Sequence, residues 1–107
     1  MIKTELTLAA IRFSETVADQ EVGRAYLYIL KNDLHPEPYG LLEDLFVEEE
    51  YRNKGVGKKL ISALIIEARA RGCHKILATS RYARPEVHAW YERLGFVDYG
   101  KEFRLNL

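Results

Sequence analysis

Val47-Glu48-Glu49-Glu50-Tyr51-Arg52-Asn53-Lys54-Gly55-Val56-Gly57-Lys58-Lys59-Leu60 passes from the end of an apolar strand to the start of an amphipathic helix, through a turn carrying Arg-x-x-Gly-x-Gly. Glycine at 55 and 57 lets the backbone come close to a ligand, and the first turn of a helix offers N–H groups that no carbonyl of the helix can reach. Arg52, Lys54, Lys58 and Lys59 surround those donors with positive charge. The combination has the shape of a pyrophosphate cradle. The plain alternative is a strand-to-helix turn punctuated by glycine.

Two better known phosphate loops do not fit. A Walker A loop ends in Gly-Lys-Ser/Thr, whereas Gly57 is followed by Lys58 and Lys59 with no hydroxyl for a magnesium ion. A dinucleotide fingerprint places its third glycine where Leu60 stands, and no acidic ribose partner closes a βαβ unit. The flanking sequence is more telling. Upstream, Leu41-Leu42-Glu43-Asp44-Leu45-Phe46-Val47 is an apolar strand interrupted by an acidic pair, and downstream, His88-Ala89-Trp90-Tyr91-Glu92-Arg93-Leu94-Gly95-Phe96-Val97 ends a helix and begins an apolar stretch. These segments, in this order, resemble the GNAT superfamily of N-acetyltransferases. That family has an acidic-apolar strand ending in valine, an [Arg/Gln]-x-x-Gly-x-[Gly/Ala] coenzyme A loop, and an aromatic-Tyr-Glu-x-x-Gly-Phe segment. The resemblance spans about Tyr39 to Val97 and reaches the first third of the chain only through its strand pattern.

Composition agrees with a small enzyme and excludes several alternatives. A length of 107 residues implies one domain, residues 1–107, and 48% hydrophobic content is enough for one core. The 16 basic and 16 acidic residues cancel, which argues against a dedicated nucleic-acid or membrane-surface binder. Cys73 is the only cysteine, so no intramolecular disulfide can form, and no Cys/His cluster has metal spacing. No metal is expected. There is no apolar run of the roughly 20 residues needed to cross a bilayer and no secretion signal, so a reducing cytoplasm is the expected setting.

Hydrophobic periodicity predicts three strands, a helix, a strand, a helix and two final strands. Glu5 to Phe13 and Val22 to Leu30 read as strands joined through Thr16–Gln20, the second with apolar residues in both phases and therefore interior. Tyr39 to Val47 follows across the loop Leu34-His35-Pro36-Glu37-Pro38. Lys54 to Arg71 repeats apolar residues at helical spacing and stops at Gly72, and Lys75 to Ser80 reads as a short buried strand. Pro85 opens a second helix that Gly95 ends, and Phe96 to Tyr99 with Phe103 to Leu107 form a closing hairpin. The fold class is α/β (α+β), a mixed, mostly antiparallel sheet flanked by helices, with a ligand crevice where pairing changes to parallel.

The resemblance implies acetyl-CoA as co-substrate. Its pantetheine would lie against the backbone of Leu45, Phe46 and Val47, and its pyrophosphate in the loop Arg52, Asn53, Lys54, Gly55, Val56, Gly57 and Lys58. An amine acceptor with pKa ~10.4 must lose a proton before attack, at a cost of about 4.6 kcal/mol at pH 7 unless a base assists. Adjacent Glu43 and Asp44 point to opposite faces of a strand, and Glu43, in phase with Leu45 and Val47, is the favoured base. Tyr91 holds the position of the family's general acid, and at pKa ~10 it keeps its proton for the departing thiolate. Its other reading is a core tyrosine beside Trp90. His88, three residues before Tyr91, is a further candidate base or a polar support for the cofactor, and equally a structural histidine. Glu48, Glu49 and Glu50 form a solvated turn that can draw a cationic acceptor to the rim.

One feature departs from the family. The usual N-terminal strand and two helices of the acceptor wall are not visible before Tyr39, where a strand pair stands instead. This leaves a tyrosine-rich flank with Tyr26 and Tyr28, and predicts a homodimer whose second chain completes the site. The leading function is acetyl transfer from acetyl-CoA to a primary amine, on a small molecule, peptide or protein, by direct attack in a ternary complex. A non-catalytic acyl-CoA sensor or interaction module is the alternative. A nucleic-acid partner, resting on Lys54, Lys58, Lys59, Arg69 and Arg71, is disfavoured by the neutral charge.

Overall fold

The computed structural model describes residues 1–6 and 8–107. Strands β1 (Ala9–Val17), β2 (Gln20–Leu30) and β3 (Tyr39–Val47) precede a 3-10 turn at Glu49–Tyr51. Helix α1 (Val56–Ala70), strand β4 (Ile76–Ala78) and helix α2 (Pro85–Arg93) follow. The sheet order is β1-β2-β3-β4. The first two pairings are antiparallel and β3 pairs with β4 in parallel, which is the mixed, mostly antiparallel sheet expected.

The core is the contact between α1 and one sheet face. Leu60, Ile61, Leu64 and Ala68 recur on one side of the helix and meet Ala25, Leu27 and Leu42, all of them buried. The alternation of β2 explains this choice. Ala25 and Leu27 face the helix, while Arg24, Tyr26 and Tyr28 face the other way and are only half-buried. Trp90 and Tyr91 of α2, with Leu94 just after it, pack against the same buried cluster, so both helices serve one face.

Several boundaries differ from the periodicity, each for a local reason. The first strand lies four residues later than expected, because β1 and β2 are joined by only Ala18 and Asp19, with Val17 opposite Gln20. Both turn residues have positive φ, 51° and 65°, the sense that matches strand twist in a two-residue hairpin. Ala-Asp lacks the Asn-Gly or Asp-Gly signal, so nothing in the sequence marks it. Position 7, within the strand predicted at Glu5 to Phe13, lies outside the described residues. Helix α1 starts at Val56, two residues after Lys54, since Gly55 has φ 85° and cannot be helical. β4 is three residues rather than the six of Lys75 to Ser80, because its ladder reaches only Gly40, Leu41 and Leu42.

The closing hairpin is not formed. Phe96 to Tyr99 and Phe103 to Leu107 lie outside regular structure, and Tyr99, Phe103, Leu105 and Leu107 are exposed. Their alternation has a strand period, but a three-residue β4 offers little ladder on which to continue the sheet.

Sheet and α1 approach closely at Gly23. A Cβ there would lie 2.8 Å from Val56 Cγ1 and 3.1 Å from Leu60 Cδ1. Gly23→Val should therefore push the first turn of α1 off the sheet. We expect a loss of about 1–3 kcal/mol, read from urea unfolding midpoints, as for overpacked cores generally.

Candidate active site

The cleft begins with an extra residue in β3. Tyr26 pairs with Glu43 and Arg24 with Phe46, so two steps along β2 face three along β3. This is a bulge, and Asp44 occupies it at φ 51°. It corrects the phase read from the sequence. Glu43 shares the face of its partner Tyr26, whereas Leu45 and Val47 turn toward the core. Without the bulge, strict alternation would have kept all three together.

Just before the bulge, the parallel ladder also ends, at Leu42 opposite Ala78. Beyond that point β3 and the chain after β4 no longer pair, and a cleft of about 790 Å³ lies between them. Leu42 to Val47 form one wall and Thr79, Ser80 and Arg81 line the other. The loop before α1 and the α2 side chains Trp90 and Tyr91 close the remaining sides. The volume lies in the usual range of ligand sites, roughly 300–1,000 Å³.

The loop is shaped by two left-handed residues, Asn53 at φ 61° and Gly55 at φ 85°. The first main-chain bond into α1 runs from Lys59 N–H to the Gly55 carbonyl at 3.0 Å. The N–H groups of Val56, Gly57 and Lys58 therefore have no main-chain acceptor among the described residues. A Cβ on Gly55 would meet nothing within 4 Å, so this is the open side of the cradle. Gly57 has a different reason to lack a side chain. Its absent Cβ leaves room for the Trp90 ring, whose Cζ2 would stand 3.3 Å away.

The cations around the loop separate into distinct roles. Arg52 Nε donates to the Val47 carbonyl at 2.9 Å and its guanidinium lies 5.6 Å from the Phe46 ring centre, tying loop to strand. Lys58 lines the cleft and is exposed. Lys59 turns to Glu15 of β1 at 2.9 Å, and Lys54 lies over the Tyr51 ring, off the cleft wall. Glu48, Glu49 and Glu50 are exposed at the preceding turn. Three free N–H groups at the end of a 15-residue helix, with Arg52 and Lys58 beside them, suit a pyrophosphate.

Glu43 and Tyr91 line the same cleft. Burial pushes the Glu43 carboxyl above its ordinary range, and the charges of Asp44 and Glu102 push it further. Asp44 also lines the cleft but is exposed. Tyr91 is raised by burial first and by Glu43 second, so its hydroxyl stays protonated beyond the ordinary phenol range. Its ring is fixed between Trp90 and Phe96, with centroids 5.4 and 5.2 Å away.

His88 is not brought to the cleft wall. Its Nε2 lies 2.8 Å from the Arg81 carbonyl, so that nitrogen carries a proton and donates it. Sequence reading missed the wall of Thr79, Ser80 and Arg81 because it extended β4 through Ser80. The available signal was positional: these residues follow the carboxyl end of a strand parallel to β3, where ligands collect in such sheets. The influence of Glu102 on Glu43 had no local signal, since it is a through-space effect of a charge far away in the sequence.

Comparison with known proteins bears on this geometry. Residues 9–96 match the acetyltransferase (GNAT) family. The chain is 32% identical over 91 residues to an aminoglycoside N(6')-acetyltransferase type 1 of Stenotrophomonas maltophilia, covering 85% of this chain and 58% of that one. It is 41% identical over 69 residues to a glucosamine 6-phosphate N-acetyltransferase of Trypanosoma brucei brucei, covering 64% of this chain and 44% of that one. The chain thus spans about half the length of these relatives. The crystal structure of a Trypanosoma brucei acetyltransferase superposes with a TM-score of 0.78 at 31% identity, over 94% of this chain and 69% of the other. The split sheet, the glycine loop and the Tyr91 helix therefore sit in a chain that belongs to the GNAT acetyltransferase family.

Proposed function

We propose that the protein is an acetyl-CoA dependent N-acetyltransferase acting on a primary amine by direct attack in a ternary complex. The observation that carries this reading is one cleft lined both by the start of α1, with its three free N–H groups, and by Glu43 and Tyr91, whose charge and hydroxyl act on one another. Acetyl-CoA supplies the acetyl group as a thioester. The names of relatives, which include aminoglycoside, glucosamine 6-phosphate and N-alpha acetyltransferases, support an amine as acceptor.

The residues divide the work as follows. Val56, Gly57 and Lys58 N–H groups, with Lys58 charge, hold the pyrophosphate. The backbone of Leu45, Phe46 and Val47, next to the bulge, is the edge against which pantetheine lies. Glu43 takes the proton of the incoming ammonium, directly or through a water. A raised carboxyl pKa narrows the gap to the amine and makes that transfer less uphill. Tyr91 donates its hydroxyl proton to the departing sulfur. Asn53 shapes the loop, Arg52 anchors it, and His88 acts on Arg81 rather than on the reacting atoms.

A second reading, an acyl-CoA binding interaction module, is favoured by the sheet face that carries Arg24, Tyr26 and Tyr28, away from both helices. We propose that a second copy of the chain covers this face, giving a homodimer in a reducing cytoplasm. Light scattering at micromolar concentration should return twice the chain mass; the mass of one chain would remove the dimer from the account. Calorimetry showing acetyl-CoA binding, with no coenzyme A release on any amine, would favour the module.

Two further outcomes test the chemistry. Tyr91→Phe should lower kcat by about 100-fold or more, the usual contribution of a positioned acid, while calorimetric affinity for acetyl-CoA stays unchanged. A full-rate Tyr91→Phe enzyme would remove Tyr91 from the mechanism. For Glu43, the base must be deprotonated, so kcat/KM falls as pH drops through its raised pKa. Removing neighbouring negative charge with Asp44→Asn and Glu102→Gln lowers that pKa, and the acidic limb of the kcat/KM profile should move to lower pH. A limb that stays in place would assign it to another group.

A further inference from the structure

Beside the acetyl-transfer cleft lies a second cavity of about 320 Å³. It is lined by Thr79, Ser80, Arg81, Tyr82, Glu102 and Arg104. Thr79, Ser80 and Arg81 also form the wall of the cleft opposite β3, so the two spaces share that wall. Its chemistry differs from that of the cleft. The residues that line it carry two guanidiniums, three hydroxyls and a single carboxylate.

Both guanidiniums are available. Neither Arg81 nor Arg104 forms an ion pair among the described residues, whereas nearby Arg84 is held by Glu86 at 3.3 Å. Arg104 uses only Nε, donating to Asn106 Oδ1 at 2.8 Å, which leaves its terminal nitrogens for another acceptor. The backbone of Arg81 is fixed: its carbonyl accepts from His88 Nε2 at 2.8 Å and from Arg84 N–H at 3.1 Å. His88 is thus a positioning residue for Arg81. The carboxylate, Glu102, also acts through its charge on Glu43 of the cleft.

Carboxylates and free guanidiniums thus line adjoining spaces: Glu43 belongs to the cleft, Arg104 and Glu102 to the second cavity, and Arg81 to both. An ammonium is drawn by the carboxylates and an anion by the two unpaired guanidiniums. We infer that the acceptor is a small primary amine that also carries an anionic group, a phosphate or a carboxylate, held in this second cavity by Arg81 and Arg104. A guanidinium fork matches either anion through paired, charge-assisted hydrogen bonds. A polycationic acceptor would bring positive charge against the same two arginines and is selected against. This inference rests on the acetyl-transfer reading for the amine end of the acceptor.

The test is coenzyme A release at saturating acetyl-CoA with matched amines. Glucosamine 6-phosphate against glucosamine reads the phosphate arm, and methionine against methioninol reads the carboxylate arm. We expect kcat/KM for one anionic member to exceed that of its neutral partner by about tenfold or more, as for hydrogen bonds to a charged group. Arg81→Met and Arg104→Met should each abolish that preference. Arg104→Met should leave acetyl-CoA affinity intact. Equal rates within both pairs, or a preference that survives both substitutions, would overturn the inference. If no amine reacts although acetyl-CoA binds, the transfer reading fails separately. The anion site is then decided by calorimetry of glucosamine 6-phosphate and methionine: binding lost in Arg104→Met upholds it, and no binding of either to the unmodified protein overturns it.

Discussion

A parallel ladder that stops after three residue pairs, followed at once by a bulge at Asp44, is the constraint from which the site follows. Had β3 and β4 stayed paired to their ends, the space between them would be filled by backbone hydrogen bonds. Because they part at Leu42 and Ala78, the polar edge of β3 faces a gap large enough for an extended ligand. The bulge then rotates the acidic pair relative to the apolar residues after it. Glu43 is carried to the Tyr26 side while Leu45 and Val47 remain on the core, so one strand serves packing and chemistry at adjacent positions.

The cradle depends on that same strand. Arg52 grips the Val47 carbonyl, Gly23 lets α1 settle against β2, and Trp90 fills the space above Gly57. Strand end, helix start and α2 are thus fixed to one another by one side-chain hydrogen bond and two close contacts at glycine. A helix N-terminus held this firmly keeps its free N–H groups aimed at one point, which a mobile loop cannot do.

Much of this was legible in the residues themselves. The alternation of β2, the repeat of Leu60, Leu64 and Ala68, and Pro85 at the start of α2 each report a local preference that the fold obeys. The glycine loop was legible for the same reason, although the duties of its two glycines were not: only Gly55 opens toward a ligand, and Gly57 yields to Trp90. What remained hidden depends on register. No residue announces the Asp44 bulge, the Ala18–Asp19 turn or the early end of β4, since each is set by what the neighbouring strand offers. The strand period of Phe103 and Leu105 shows the converse, a local pattern without a partner in the sheet.

Trp90 is the single tryptophan of the chain. It lies in the cleft wall, against Gly57 of the loop and against the Tyr91 ring. The protein's tryptophan emission, selected by excitation to the red of tyrosine absorption, therefore originates beside the loop and Tyr91. Filling of the cleft, or loosening of α2 from α1, changes the polarity around one indole and no other. Emission from the unlabelled protein can follow both ligand arrival and the integrity of that contact in the same cuvette.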